Sequence, residues 1–266
     1  MNKTLEDIHF ITSKNNDFFK KMKLSTLPKN RVREGIVLVE GDKSFREASL
    51  VLPLRHVLVD ETFDLDSFMN TLPDIPSQTY TRFSNHLFNA LVDTKNPQGI
   101  IGVFDLPDQQ LDLTTLDTVV VLEGIQDPGN VGTIIRTAFC LGYQAVLLDD
   151  ACATYFSPKV IRSSMGALFH IPCASASLEQ HVGDLKDAGF SIVGADMDGD
   201  DVRERDTSAT PEKIALLVGS EGQGLSETAL SACDYRYRIP LAHEAAESLN
   251  VAVASGIMMY ELQMQR

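Results

Sequence analysis

Three segments of the chain gather polar and glycine residues directly beside apolar runs, and they hold the residue types that could do chemistry. In VLEGIQDPGNVGTIIRTA, residues 119–122 run into a turn built on Asp127, Pro128 and Gly129, followed by Asn130 and Arg136. Asn is a favoured helix N-cap, so Asn130 has a structural reading as a cap. Arg136 stands among Ile134, Ile135, Ala138 and Phe139. A guanidinium buried on such a face needs an anionic partner, which favours a role in a site. In LLVGSEGQGLS, the glycines 219, 222 and 224 would let a ligand lie against the backbone, and Glu221 adds a charge that a plain turn does not require. In RIPLAHEAAESLNVAVA, Ser248 and Asn250 stand where a last helix begins, and free N–H groups with short polar side chains can hold a polar ligand there. Capping accounts for Ser248, but not for Asn250 as well.

These segments need elements to position them. Short apolar runs (GIVLVEG, HVLVDE, GIIGVF) alternate with stretches of helical spacing (DKSFREASLVL, SNHLFNALVD) as far as Val103, which reads as α/β. The stretch DLPDQQLDLTTLD is polar and acidic and carries Pro107, so it marks a domain boundary. The expected organisation is a first domain over 1–105, a linker over 106–116 and a second domain over 117–266. A second alternation follows the linker: strand TVVVLEG, helix NVGTIIRTAFCLG, strand AVLLDD, a helix around SPKVIRSSMGALF, strands at FSIVGAD, KIALLVGSEG and YRIP, and a helix from about Ser248 to Gln263. Strand and helix in turn predict a mostly parallel sheet covered on both faces, with sites at the carboxyl ends of its strands. The last helix is apolar or small nearly all round, which predicts burial on several sides. Ala252, Ala254, Ser255 and Gly256 would permit close backbone approach, so a second subunit is expected there.

The chain has 266 residues, room for two domains at roughly 100–200 residues each. It is 44% hydrophobic and 23% charged, which excludes a disordered or fibrous chain. No uncharged apolar run approaches the roughly 20 residues that span a bilayer, and no apolar stretch follows Lys3, so a cytoplasmic protein is expected. Cys140, Cys152, Cys173 and Cys233 form no CxxC pair, which argues against a zinc site and a disulfide framework. The net charge of −14 is unfavourable for approaching phosphates, yet fields fade over roughly 8 Å at physiological salt, so charge acts locally. Lys14, Lys20, Lys21, Lys23, Lys29, Arg31 and Arg33 stand against the lone Asp17 in one short stretch. That stretch is either a basic patch for nucleic acid or a solvated helix face.

Taken in order, the three segments resemble the signatures of the SpoU (TrmH-like) branch of the SPOUT RNA 2′-O-ribose methyltransferases. DPGNVGTIIR matches DPxNxGxxxR, GSEGQG matches GxEGxG, and IP followed by SLNV matches the third motif. SPKVIRSSMGALFHIP is similar to the family's segment between its first two motifs, and NPQGIIGVF to the strand closing its N-terminal domain. ITSKNNDFFKKMKLS and GIVLVEGDKSFREA are similar to the ribosomal-protein-like α/β domain that many members carry in front. The resemblance implies a catalytic domain with a deep trefoil knot, S-adenosylmethionine as cofactor, a homodimer, and ribosomal or transfer RNA as substrate. Carried over by motif, cofactor contacts fall to Gly219, Ile239 and Leu249, and catalytic or substrate-orienting roles to Asn130, Arg136, Glu221, Ser248 and Asn250.

A ribose 2′-hydroxyl is a poor nucleophile, so such a site must align it with the methyl–sulfur bond and help remove its proton. Alignment can supply up to roughly 7–11 kcal/mol. A guanidinium is effectively never deprotonated in proteins, so Arg136 is expected to anchor the adjacent phosphate and stabilise the forming alkoxide, with Glu221 orienting it. Two other classes stay in view: an RNA-binding protein that keeps the fold without catalysis, and a dinucleotide-dependent oxidoreductase, which lacks GxGxxG here. The acidic run ADMDGDDVRERD fails the calcium-loop register, with Asp201 at the sixth position and Thr207 at the twelfth, and reads as a solvated loop. The histidines show no paired ligand spacing, and no metal is expected.

Overall fold

Alternating apolar runs pair into two separate sheets, each in its own part of the chain. The structure is a computed structural model that describes residues 8–71, 79–106, 111–206, 211–242 and 249–263. The chain divides into two units, Met1–Asp108 and Gln109–Arg266.

The first unit runs β1 (His9–Ile11), α1 (Asp17–Leu24), α2 (Pro28–Glu34), β2 (Ile36–Glu40), α3 (Asp42–Ser49), β3 (Leu54–Asp60), α4 (Leu65–Met69), β4 (Tyr80–Phe83), α5 (Asn85–Asn89) and β5 (Ile100–Asp105). Its five strands lie in the order β1-β4-β3-β5-β2, with β5 antiparallel to both its neighbours. On one face Leu38, Leu58, Ile101 and Val103 meet Phe19 and Met22 of α1 and Leu87 and Phe88 of α5. Asn16 caps α1, its side chain accepting from Phe18 N and Phe19 N. Phe18 lies half-buried over Phe83 and against His56.

One member of the expected basic patch is not on the surface. Arg31 is 6% exposed; its Nε donates to Ser25 O at 3.0 Å and its Nη2 to Thr26 O at 2.8 Å. Burial lowers its pKa, with Asp93 opposing. Arg31 therefore ties the turn between α1 and α2, satisfying carbonyls that the end of α1 leaves open. The side chain of Lys29 lies outside the described residues.

The second unit runs β6 (Thr118–Leu122), α6 (Pro128–Cys140), β7 (Ala145–Leu148), α7 (Pro158–Ser164), β8 (Cys173–Ser175), α8 (Leu178–Asp187), β9 (Ser191–Asp201), β10 (Ile214–Val218), α9 (Glu227–Ala232), β11 (Tyr235–Arg238) and α10 (Val251–Gln263). The sheet has six strands in the order β11-β9-β10-β6-β7-β8, and every pair is parallel. Val119, Val121, Leu147, Ile192 and Leu217 face α8 and α9. The alternate residues Val120, Leu122, Val146 and Leu216 are also buried, so both faces are covered, as a parallel sheet requires. After β6 the chain builds outward through β7 and β8; it then returns to lay β9 and β10 on the other side. The carboxyl ends of β6 and β10 therefore form a topological switch point, where open α/β sheets hold their ligands.

Two expectations need correction. Residues 111–116, expected as linker, fold onto the second unit: Leu111, Leu113 and Leu116 pack on its core, and Lys213 Nζ donates to Thr114 O at 2.7 Å. Three leucines outweigh a polar surrounding because apolar burial drives packing. The acidic run is not a loop, since β9 continues to Asp201 and pairs with β11 through a bulge, and Val202 is buried beyond it. Within its own unit the last helix buries Val251, Ala252, Ser255, Met258, Met259 and Leu262 and leaves Val253 and Tyr260 half exposed. A Cβ built on Gly256 would lie 3.5 Å from Thr137 Cγ2 of α6, an ordinary contact distance. Among the described residues no helix is long and apolar enough to cross a membrane.

Candidate active site

Val218 of β10 pairs in register with Leu122 of β6, so the first two motif segments leave the sheet side by side. After β6, Asp149 Oδ1 accepts from Gly124 N at 3.0 Å and holds the start of the loop. Asp127 then caps α6, accepting from Gly129 N at 3.1 Å and from Lys159 Nζ at 2.5 Å. These bonds, that to Lys159 foremost, hold its carboxyl below the usual range. Pro128 occupies the first turn, where its missing N–H costs nothing. The cap is thus Asp127 rather than Asn130. Freed of that duty, Asn130 sits inside the first turn and donates from Nδ2 to Glu221 Oε1 at 3.2 Å.

The loop after β10 explains the position of Glu221. A Cβ on Gly219 would lie 2.1 Å from Gly224 O and 2.5 Å from Leu225 N. Only glycine lets the loop fold back over the strand end, and Gly224 N closes the turn on Ser220 O at 2.9 Å. Ser226 caps α9, and its N–H donates to Glu123 Oε2 at 3.0 Å, tying the ends of β6 and β10 together.

The third segment closes the cluster. Asn250 caps α10, its Oδ1 accepting from Ala252 N at 3.1 Å and Val253 N at 3.3 Å. Its Nδ2 donates to Glu221 Oε1 at 2.6 Å and to Asn130 Oδ1 at 3.1 Å. Val251 N also donates to Glu221 Oε1, at 3.1 Å. One carboxylate oxygen thus accepts from Asn130, Asn250 and the start of α10, and both amide orientations follow from the network. The charge of Glu221 is thus already engaged by three donors.

Arg136 is not buried on an apolar face; it is exposed, and among the described residues its guanidinium has no hydrogen-bond or ion-pair partner. The buried stripe of α6 is Val131, Ile134, Ile135 and Ala138, and position 136 flanks it. Helix geometry sets Arg136 about 9 Å along the axis from Asn130 and about 120° around it. Glu221 holds the two asparagines and makes no bond to Arg136. Ser248 lies outside the described residues.

Sequence reasoning missed Gly132. A Cβ there would meet Ser163 Oγ at 2.0 Å and Val160 O at 2.7 Å, so the glycine of the first motif lets α7 pack against α6. Its spacing two residues after Asn130 was the available signal. Cofactor candidates Gly219, Ile239 and Leu249 follow β10, follow β11 and precede α10. Gly222 has open space around it, and the amides of Ile239 and Leu249 donate to no other described residue. Free backbone donors at strand ends fit a ligand bound through backbone groups. Beside the cluster an open groove of about 720 Å³ runs between α6 and α10, lined by Asn130, Thr137, Leu141, Asn250, Val253 and Tyr260. Among the described residues no group of His, Cys, Asp and Glu could hold a metal ion.

Glycine-bearing loops and a hydrogen-bonded polar cluster at the switch point of a parallel sheet stand where open α/β enzymes hold their ligands. The chain belongs to the SpoU rRNA Methylase family, whose profile matches residues 117–260. It is 36% identical over 256 residues to the 23S rRNA (guanosine(2553)-2′-O)-methyltransferase RlmP of Bacillus subtilis, covering 95% of this chain and 98% of that one. Among solved structures it is similar to the SpoU methyltransferase AviRb of Streptomyces viridochromogenes in complex with AdoMet, with a TM-score of 0.80, 28% identity and coverage of 95% and 98%. It is likewise similar to an AdoMet-bound rRNA methyltransferase of Sinorhizobium meliloti, with a TM-score of 0.79, 27% identity and coverage of 97% and 98%.

Proposed function

We propose that this chain transfers a methyl group from S-adenosylmethionine to a ribose 2′-hydroxyl of large-subunit ribosomal RNA. The observation that carries the reading is the convergence of Asn130 and Asn250, from the first and third motif segments, on one carboxylate oxygen of Glu221, from the second, at the switch point. The whole-length relative from Bacillus subtilis, named for a guanosine of 23S rRNA, supports that substrate over transfer RNA.

S-adenosylmethionine supplies an electrophilic methyl on a sulfonium; Gly219, Ile239 and Leu249 would hold it by backbone groups. Glu221 fixes the asparagines, and these orient the ribose. Arg136 anchors the neighbouring phosphate and stabilises the negative charge that forms on the ribose oxygen as the hydroxyl gives its proton to solvent water; its guanidinium stays charged throughout. An exposed arginine with no partner among the described residues suits a phosphate that arrives with the substrate.

The first unit is proposed to hold RNA through Lys14, Lys20, Lys21, Lys23, Lys29 and Arg33. The pairs Lys20–Asp17, Lys21–Glu34 and Arg33–Glu34 are exposed and 3.3–3.4 Å long, so they give way readily to phosphates. The C-terminal segment is proposed to form the deep trefoil knot of its family, which α10 lying against α6 and β10 supports. The half-exposed Val253 and Tyr260, beside the groove on α6, support a homodimer through that face. The cytoplasm, where ribosomal RNA is found, is its proposed location.

The test is transfer of labelled methyl from S-adenosylmethionine to a 23S rRNA transcript, with the modified ribose mapped. One 2′-O-methylated nucleotide is expected. Binding of S-adenosylmethionine and RNA without transfer to any RNA would instead establish the RNA-binding reading.

A further inference from the structure

Gly132, Arg136 and Phe139 are spaced i, i+4, i+7 and lie on one stripe of α6. At Gly132 that stripe is covered by α7; beyond it the stripe opens. Phe139 is 43% exposed, and the exposed His170 stacks on it with ring centroids 5.7 Å apart and planes 28° from parallel. The turn leading to His170 begins at Met165, which is 48% exposed and holds φ 53, a left-handed conformation uncommon outside glycine. Backbone strain of this kind persists where surrounding structure enforces it, often at ligand-binding segments.

A flat aromatic pair and a cation with no partner among the described residues therefore lie about 4.5 Å apart along the axis of the helix that also carries Asn130, with Phe139 about 13.5 Å beyond Asn130 and on the other side of the helix. Aromatic faces take unstacked RNA bases, and a free guanidinium takes phosphate. We propose that Phe139 and His170 form a stacking shelf for an unpaired base of the RNA strand a few nucleotides from the methylated one, with Arg136 on a phosphate between them. The inference rests on the RNA-methylation reading and deepens it by giving the site a preference for a single-stranded or looped target. The shelf is distinct from the groove proposed for a second copy: Thr137 and Leu141, which line that groove, point to the opposite side of α6 from Phe139.

The test uses the full chain with Phe139→Ala, Phe139→Leu, Phe139→Tyr and His170→Ala. Phe139→Ala and Phe139→Leu should raise KM for RNA about tenfold, the weight of one lost base–aromatic stack, with kcat within about twofold. Phe139→Tyr should match the unsubstituted chain, and His170→Ala should fall between. S-adenosylmethionine affinity should not move. A single-stranded oligonucleotide carrying 2-aminopurine should be quenched by the unsubstituted chain and not by Phe139→Ala. An unchanged KM in Phe139→Ala, or full activity in Phe139→Leu, would overturn the shelf. So would halving of the sedimenting mass in Phe139→Ala, since the face would then join two copies. Quenching needs no turnover, so a chain that moved no methyl group would fail the functional reading while still deciding the shelf.

Discussion

The Nδ2 of Asn250 lies 2.6 Å from Oε1 of Glu221, joining the cap of α10 to the glycine turn after β10. The Oδ1 of the same asparagine accepts from Ala252 N and Val253 N in the first turn of α10, so one side chain orders a helix start and a candidate catalytic loop together. Loss of either partner should be felt by both.

Replacing Glu221 tests that coupling. Glu221→Ala removes the acceptor shared by Asn130, Asn250 and Val251 N. Misplacing the asparagines by about 1 Å should lower kcat about 10²-fold. Weakening the helix start should cost on the order of 1 kcal/mol, read as a lower Tm. Glu221→Gln keeps one acceptor oxygen and should lose less of both.

Arg136→Ala should lower kcat about 10²- to 10³-fold, the usual weight of a donor aimed at developing negative charge. Its exposure predicts no loss of Tm. Arg136→Lys should keep part of the activity with the basic limb of the pH–rate profile unmoved. A limb displaced toward the lysine range would make residue 136 the base.

The glycines of the motifs separate by what a methyl group would strike. Gly132→Ala forces α7 away from α6 and should cost about 1–3 kcal/mol of stability, measured by urea unfolding. Gly219→Ala strikes the backbone of Gly224 and Leu225, so its main effect should be weaker S-adenosylmethionine binding by calorimetry. Gly222→Ala meets nothing within 4 Å and should fold as the unsubstituted chain does.

Burial lowers the pKa of His56 from its ordinary 6.5, with Lys21 and Arg55 adding to the shift. The unfolded chain therefore takes up the proton first as pH falls. The stability contributed by neutral His56 is full above pH 6.5 and is lost as pH drops from there through the folded value. Urea midpoints between pH 5 and pH 8 should fall on the acid side, and less steeply in His56→Gln.

Arg31 and Lys20 should part company. Arg31→Met leaves the carbonyls of Ser25 and Thr26 without their donor and should cost about 1–3 kcal/mol without changing the salt dependence of RNA binding. Lys20→Ala should leave stability nearly unchanged and reduce the slope of log affinity against log salt by about 1.

Residue order alone specified much of this protein. Apolar runs of strand length between helical stretches gave the α/β class and the parallel second sheet, because period and length are local properties of the chain. The three motif segments, their glycines and their asparagines were legible for the same reason. What only the tertiary structure decided was which partner each side chain meets. Asp127 rather than Asn130 caps α6 because Asn130 is drawn to a carboxylate 91 residues away. Arg31 is buried and Arg136 exposed, the reverse of what their neighbours in sequence suggest, since a charge turns toward whatever acceptor or solvent the packed elements leave beside it. The leucines of the expected linker joined the second core because apolar area is buried wherever a complementary surface comes within reach. Long-range contacts of this kind leave no trace in spacing, for they depend on the order in which strands assemble across the sheet.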